Sequence, residues 1–176
     1  LSSLFVLTLC GRMEINMKTA IVFYSMSGNV RATAEKIAET TSADLIELKP
    51  QKTYPGKGLK KFFWGGKSAV MGEKPALLPY TFEAGEYDRI IFGFPVWAST
   101  FAPPIRTFIE DNRASLEGKK FSAFTCMSGS GGEKAIEKLK AFLGVSEFDG
   151  ELILIDPKDK PSDENETKIK DFCEKL

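Results

Sequence analysis

A chain of 176 residues that is 43% hydrophobic is long enough to bury one sizeable core and too short for two, so a single domain is expected. Its 24 basic and 24 acidic residues cancel, which excludes a whole-molecule field that would draw it to nucleic acid or into an anionic membrane surface. Histidine is absent, and with it go Ser-His-Asp and Cys-His catalysis, histidine-ligated zinc and imidazole acid/base chemistry.

Residues 1–16 do not resemble the rest. Their apolar run, Leu4 to Leu9, has no basic residue before it and is too short to span a bilayer. They are expected to be an extension outside the fold, with one domain over residues 17–176. The three cysteines, Cys10, Cys126 and Cys173, form no CxxC pair, which argues against a disulfide framework or a zinc knuckle and for a reducing cytoplasm.

Thr19 to Tyr24 (TAIVFY) is continuously apolar, as a strand buried on both faces of a parallel sheet must be. Ser25 to Gly28 breaks it, and Val30, Ala34, Ile37 and Ala38 then recur at helical spacing over about 29–40. Asp44 to Leu48 predicts a second strand and Arg89 to Phe94 a third. The connection between them, 49–88, is longer than a crossover needs and predicts a helix over about 57–71. Lys49, Lys52, Lys57, Lys60, Lys61, Lys67 and Lys74 against Glu73 leave residues 49–74 at seven minus one, or plus six. Such a run is either a solvated face or a dock for an acidic partner or a nucleotide phosphate.

Pro103 to Asn112 predicts a helix with proline at its start, where the missing N–H is harmless, and with Ile105, Phe108 and Ile109 inward. Phe121 to Met127 predicts the fourth strand, 133–143 a helix, Glu151 to Ile155 the fifth strand, and the charged 162–176 a closing helix. Strands alternating with helices in this way require a parallel sheet covered on both faces and joined by right-handed crossovers.

In such a sheet ligands sit beyond the carboxyl ends of the strands, where the strand order reverses. The loop Ser25-Met26-Ser27-Gly28-Asn29-Val30 offers two hydroxyls, a glycine and consecutive N–H groups at a helix mouth, a combination suited to a monophosphate. Taken alone it is equally a polar turn with an N-cap. There is no GxxxxGK[ST] for a triphosphate and no GxGxxG for a dinucleotide. A phosphoacceptor receiver domain would end its third strand in aspartate, and here the strand ends Gly93-Phe94-Pro95.

Ser25 to Val30 resembles the flavodoxin phosphate loop [ST]-x-[ST]-G-x-[ST], with valine at position 30 where a third hydroxyl is expected. Gly93-Phe94-Pro95-Val96-Trp97-Ala98-Ser99 is similar to the segment after strand three in one flavodoxin branch, 103–109 to the helix that follows, and Thr125 to Gly132 to the third flavin loop. The resemblance implies a flavodoxin-like three-layer α/β sandwich with strand order 2-1-3-4-5 and helices on both faces. It implies FMN as cofactor, held by Ser25, Met26, Ser27, Gly28, Asn29, Val30, Pro95, Val96, Trp97, Ala98, Ser99, Ser128, Gly129 and Gly131.

Within that resemblance Trp97 is a candidate to stack on the flavin, with a core position as the alternative, and Phe101 is open to the same two roles. Cys126, with no histidine or lysine beside it, is expected to be a small core residue. Ser128 to Gly132 would place N–H groups near the flavin edge and leave room for a second molecule. Flavodoxins commonly flip a glycine peptide in the loop after strand three; Ala98 and Ser99 stand there instead, which implies a costlier flip and weaker stabilisation of the one-electron state.

Two functions follow from the resemblance. One is electron transfer through FMN between redox partner proteins. The other is an FMN-dependent NAD(P)H or quinone oxidoreductase, with a nicotinamide or quinone substrate. Electron-carrier flavodoxins tend to be strongly acidic, unlike this neutral chain with its basic insertion. The resemblance leaves a homodimer open, and a flavin-free binding module on the same fold would require Val30 and the altered loops to abolish FMN binding.

Overall fold

The computed structural model describes residues 17–54, 67, 69 and 71–176. The expected extension at 1–16 lies outside these residues, as does most of the helix expected over 57–71, of which Lys67 and Ala69 are described as helical. Five strands, β1 (Thr19–Phe23), β2 (Asp44–Glu47), β3 (Arg89–Pro95), β4 (Lys120–Met127) and β5 (Gly150–Ile155), form one parallel sheet in the order β2-β1-β3-β4-β5. This is the order implied by the resemblance, and it places the topological switch between β1 and β3.

Side-chain alternation divides the sheet into two dissimilar faces. Ala20 and Val22 of β1, with Ile90, Phe92 and Phe94 of β3, point to a face rich in aromatic rings. There they meet α2 (Pro103–Asn112) and α3 (Gly132–Leu143) through Ile105, Phe108, Ile109, Ile136 and Leu139. Ile21, Phe23 and Ile91 point to the other face, with Leu152 and Leu154 of β5, against α1 (Asn29–Thr41) and α4 (Asp163–Glu174). Every residue of β1 is buried, which is why its sequence is apolar after Thr19.

The helix ends follow from their sequences. Pro103 and Pro104 open α2, where their fixed φ suits the first turn. Gly144, in the left-handed region at φ 77°, closes α3 and donates its N–H to the Ala141 carbonyl. Ser162 caps α4 by accepting the Asn165 N–H at 3.2 Å, ahead of an acidic first turn of Asp163, Glu164 and Glu166. No described helix is long and apolar enough to cross a membrane.

Candidate functional site

The chain leaves β1 at Tyr24, whose N–H still pairs with the Gly93 carbonyl of β3 at 3.0 Å, and turns through Ser25 to Gly28 into α1. Ser25 Oγ folds back and accepts the N–H groups of Gly28 and Arg31, each at 3.2 Å, so it braces the helix mouth from inside. Gly28 holds φ 93°, which a residue with a side chain adopts only with strain. The first N–H groups of a helix have no intrahelical acceptor, so those of Asn29 and Val30 sit at the positive end of the α1 dipole, where an anion is favoured. The Val30 side chain is buried in the core on the α1 face of the sheet, and only its backbone can serve such an anion.

Asn29 ties this loop to a fourth strand end. Its buried side chain accepts the Lys158 backbone N–H at 2.8 Å and donates to Asp159 Oδ2 at 2.9 Å and to Ser27 Oγ at 3.3 Å. The segment after β5, Asp156 to Lys160, is thereby pinned beside the helix mouth. Asp156 itself accepts from Ser128 Oγ at 2.7 Å and pairs with Lys160 at 3.2 Å, so the same segment also reaches the loop after β4.

After β3 the chain makes a two-residue turn. Trp97 and Thr100 exchange both backbone hydrogen bonds at 3.0 Å, and Ala98 and Ser99 between them hold φ 49° and 54°. Two consecutive positive φ values define a type I′ turn, usually made with asparagine and glycine. Of the two positions weighed for Trp97, the structure has it turned inward, 5% exposed, with its ring edge-on to Tyr24 at 5.7 Å and to Tyr54 at 5.1 Å. Part of it still borders the cleft described next. Phe101 is a core residue, packed on Phe94 and Phe142.

The turn after β3 and the loop after β4 are in intimate contact. A Cβ added to Gly131, at φ 99°, would lie 2.5 Å from Ser99 Oγ and 3.1 Å from Ser99 Cα. Only a residue without a side chain lets the two loops close to this distance.

Between these strand ends lies a cleft of about 520 Å³. Of the residues singled out in the sequence, it gathers Met26, Ser27, Asn29, Val30, Pro95, Val96, Trp97, Ser128 and Gly129. Ser25, Gly28, Ala98, Ser99 and Gly131 shape the backbone behind that lining and are not part of it. Cys126, buried at the end of β4, joins the lining and lies 3.6 Å from Thr33 Oγ1. Burial pushes its thiol up to about 12, so it stays protonated at neutral pH and is no nucleophile. Among the described residues, no cluster of three or more histidines, cysteines or acids could hold a metal ion.

A second hollow of about 400 Å³ adjoins the first across Met26, bounded by Tyr24, Tyr54, Arg31 and Lys49. Arg31 forms an ion pair with Glu47, and Lys49 lies 3.5 Å from the same carboxylate. Burial raises the Tyr24 phenol to about 12 and pushes Tyr54 higher still, so both rings are neutral walls.

Sequence reasoning missed Asp156, Lys158 and Asp159. Their run reads as a solvated turn, yet a signal was present: in the order 2-1-3-4-5 the end of β5 must lie beside the end of β4.

Solved structures share this architecture. One from Bacteroides eggerthii is 23% identical and superposes with a TM-score of 0.73, covering 90% of this chain and 96% of its own. A flavoprotein in complex with FMN from Lactobacillus acidophilus is also 23% identical, with a TM-score of 0.66 over 81% of this chain and 95% of that one. At these identities the likeness is one of fold. The flavodoxin profile, however, matches residues 18–169, and on that match the chain belongs to the flavodoxin family.

Proposed function

We propose that this chain binds FMN in the cleft at the strand ends and transfers electrons through it to a redox partner. The observation that carries this is the convergence of four strand-end loops on one cleft with an α-helix mouth at one side and the apolar Pro95, Val96 and Trp97 at the other. That polarity suits a ligand with a phosphate at one end and a flat ring at the other. The volume of about 520 Å³ lies within the roughly 300–1,000 Å³ usual for small-ligand sites.

Bound FMN would supply the redox chemistry. The chain's own contribution is binding and exclusion of water. The N–H groups of Asn29 and Val30 and the Ser27 hydroxyl would hold the phosphate. Pro95, Val96 and the part of Trp97 that borders the cleft would cover the ring, and Ser128 and Gly129 would border its polar edge. The free thiols of Cys126 and Cys173 accord with a reducing cytoplasm.

A second reading, an FMN-dependent NAD(P)H or quinone oxidoreductase, draws support from the adjoining hollow. Its neutral tyrosine walls and the nearby Arg31 and Lys49 would suit an aromatic substrate bearing negative charge. Anaerobic mixing of the FMN-loaded protein with NADH or NADPH separates the two. Electron transfer alone predicts that the flavin absorbance near its visible maximum persists until a reducing partner is added. Bleaching within seconds by either nucleotide would favour the oxidoreductase.

A further inference from the structure

The ammonium of Lys158 occupies an electrostatically odd place. Its Nζ lies 3.0 Å from the position that a Cβ on Gly28 would take, so it hangs over the mouth of α1 in the space glycine leaves free. A helix N-terminus carries partial positive charge and attracts carboxylates, as the acidic first turn of α4 illustrates in the same molecule. Here a full positive charge converges on that end instead. Among the described residues Lys158 forms no ion pair, whereas its neighbour Lys160 is paired with Asp156.

The placement is built. The Lys158 backbone N–H is held by Asn29 Oδ1 at 2.8 Å, and the adjacent Asp159 accepts from the Asn29 amide at 2.9 Å. Both bonds join residues about 130 apart in sequence through a side chain that is 6% exposed. The exposed ammonium and the helix mouth together make a positive spot beside the cleft, where an anion is favoured. A phosphate with close to two negative charges would also face Asp156 and Asp159 along the cleft, and a cation at this point offsets them.

We infer that Lys158 is the counter-ion of the FMN phosphate and sets the preference of this site for FMN over the uncharged riboflavin. The inference rests on the cleft being the FMN site. It assigns Gly28 a second task, since a side chain there would obstruct the lysine as well as strain the backbone. It also explains how a phosphate loop with no cation in its first six residues serves a doubly charged group: the charge arrives from the far end of the chain.

The test is fluorescence titration of FMN and of riboflavin into the wild type, Lys158→Gln, Lys158→Arg and, as a control, Lys168→Gln. Lys168 pairs with Glu164 on the outer surface of α4. The inference predicts that Lys158→Gln weakens FMN about five- to tenfold and leaves riboflavin unchanged, in keeping with a charge-assisted phosphate contact at a solvent-exposed position. Lys158→Arg should restore most of the FMN affinity, and the salt dependence of FMN binding should be shallower in Lys158→Gln. Lys168→Gln should match the wild type. Equal weakening of both flavins, or no weakening of FMN, would overturn the role of Lys158 and leave the FMN site standing. A wild type that binds neither flavin would overturn the site itself.

Discussion

The loops after β1 and β3, at the carboxyl edge of the sheet, both enter the left-handed region of backbone space, and they do so with opposite chemistry. The loop after β1 uses Gly28 at φ 93°, where no strain arises, and frees space that the Lys158 head occupies. The turn after β3 uses Ala98 and Ser99 at 49° and 54°, each held there at a cost of order 1 kcal/mol or more. The first loop is relaxed and braced by Ser25 and Asn29, as a static anion cradle should be. The second is strained and is held by two backbone bonds and by its contact with Gly131. Stored strain at the loop that would border a flavin ring is where a change of backbone conformation on reduction would be cheapest to trigger. Ala98 and Ser99 already hold the positive φ that glycine would supply there.

The strained pair of loops is most vulnerable at Gly131. Gly131→Ala puts a methyl 2.5 Å from Ser99 Oγ and adds backbone strain at φ 99°, so a loss of about 2–4 kcal/mol is expected in denaturant unfolding. FMN affinity should fall with it, because the two loops can no longer close. Gly28→Ala should cost less, about 1–2 kcal/mol, since the atom it meets is the mobile end of Lys158 and only the backbone term is unavoidable. A cost for Gly28→Ala equal to that of Gly131→Ala would erase the distinction between the loops. The smallest effect is a gain. Ala98→Gly removes strain but adds freedom to the unfolded chain, leaving about 0.5 kcal/mol of net stabilisation by thermal unfolding. Destabilisation by that substitution would show that the turn carries no strain.

Much of this architecture was legible in the sequence because a parallel sheet buried on both faces writes itself as uninterrupted apolar runs. AIVF and IIFGF are such runs, FSAFTCM keeps the pattern apart from the buried Ser122 and Thr125, and the small-residue turns after them mark the ligand edge. The inward turn of Trp97 was open in the sequence, because it depends on Tyr24 and on Tyr54, which arrives from a long connection with no fixed spacing. The segment Asp156 to Lys160 was hidden for a different reason. Its charges look solvated locally, and only the packing of α1 against α4 on one face brings Asn29 within reach of it. The resemblance supplied the cofactor, and the residues supplied the fold.

An anion cradle at the mouth of α1 is the centre of the proposed FMN site, and its decisive test is titration of FMN into the wild type and into Ser27→Asp. The substitution sets a fixed carboxylate where the phosphate should lie, at a residue that borders the cleft and whose hydroxyl accepts a long hydrogen bond, 3.3 Å, from Asn29. With native circular dichroism in both proteins, the account predicts one saturable FMN site in the wild type and binding at least about a hundredfold weaker in the variant, the equivalent of roughly 2.7 kcal/mol. Equal affinity in the two proteins would contradict it and place the phosphate elsewhere.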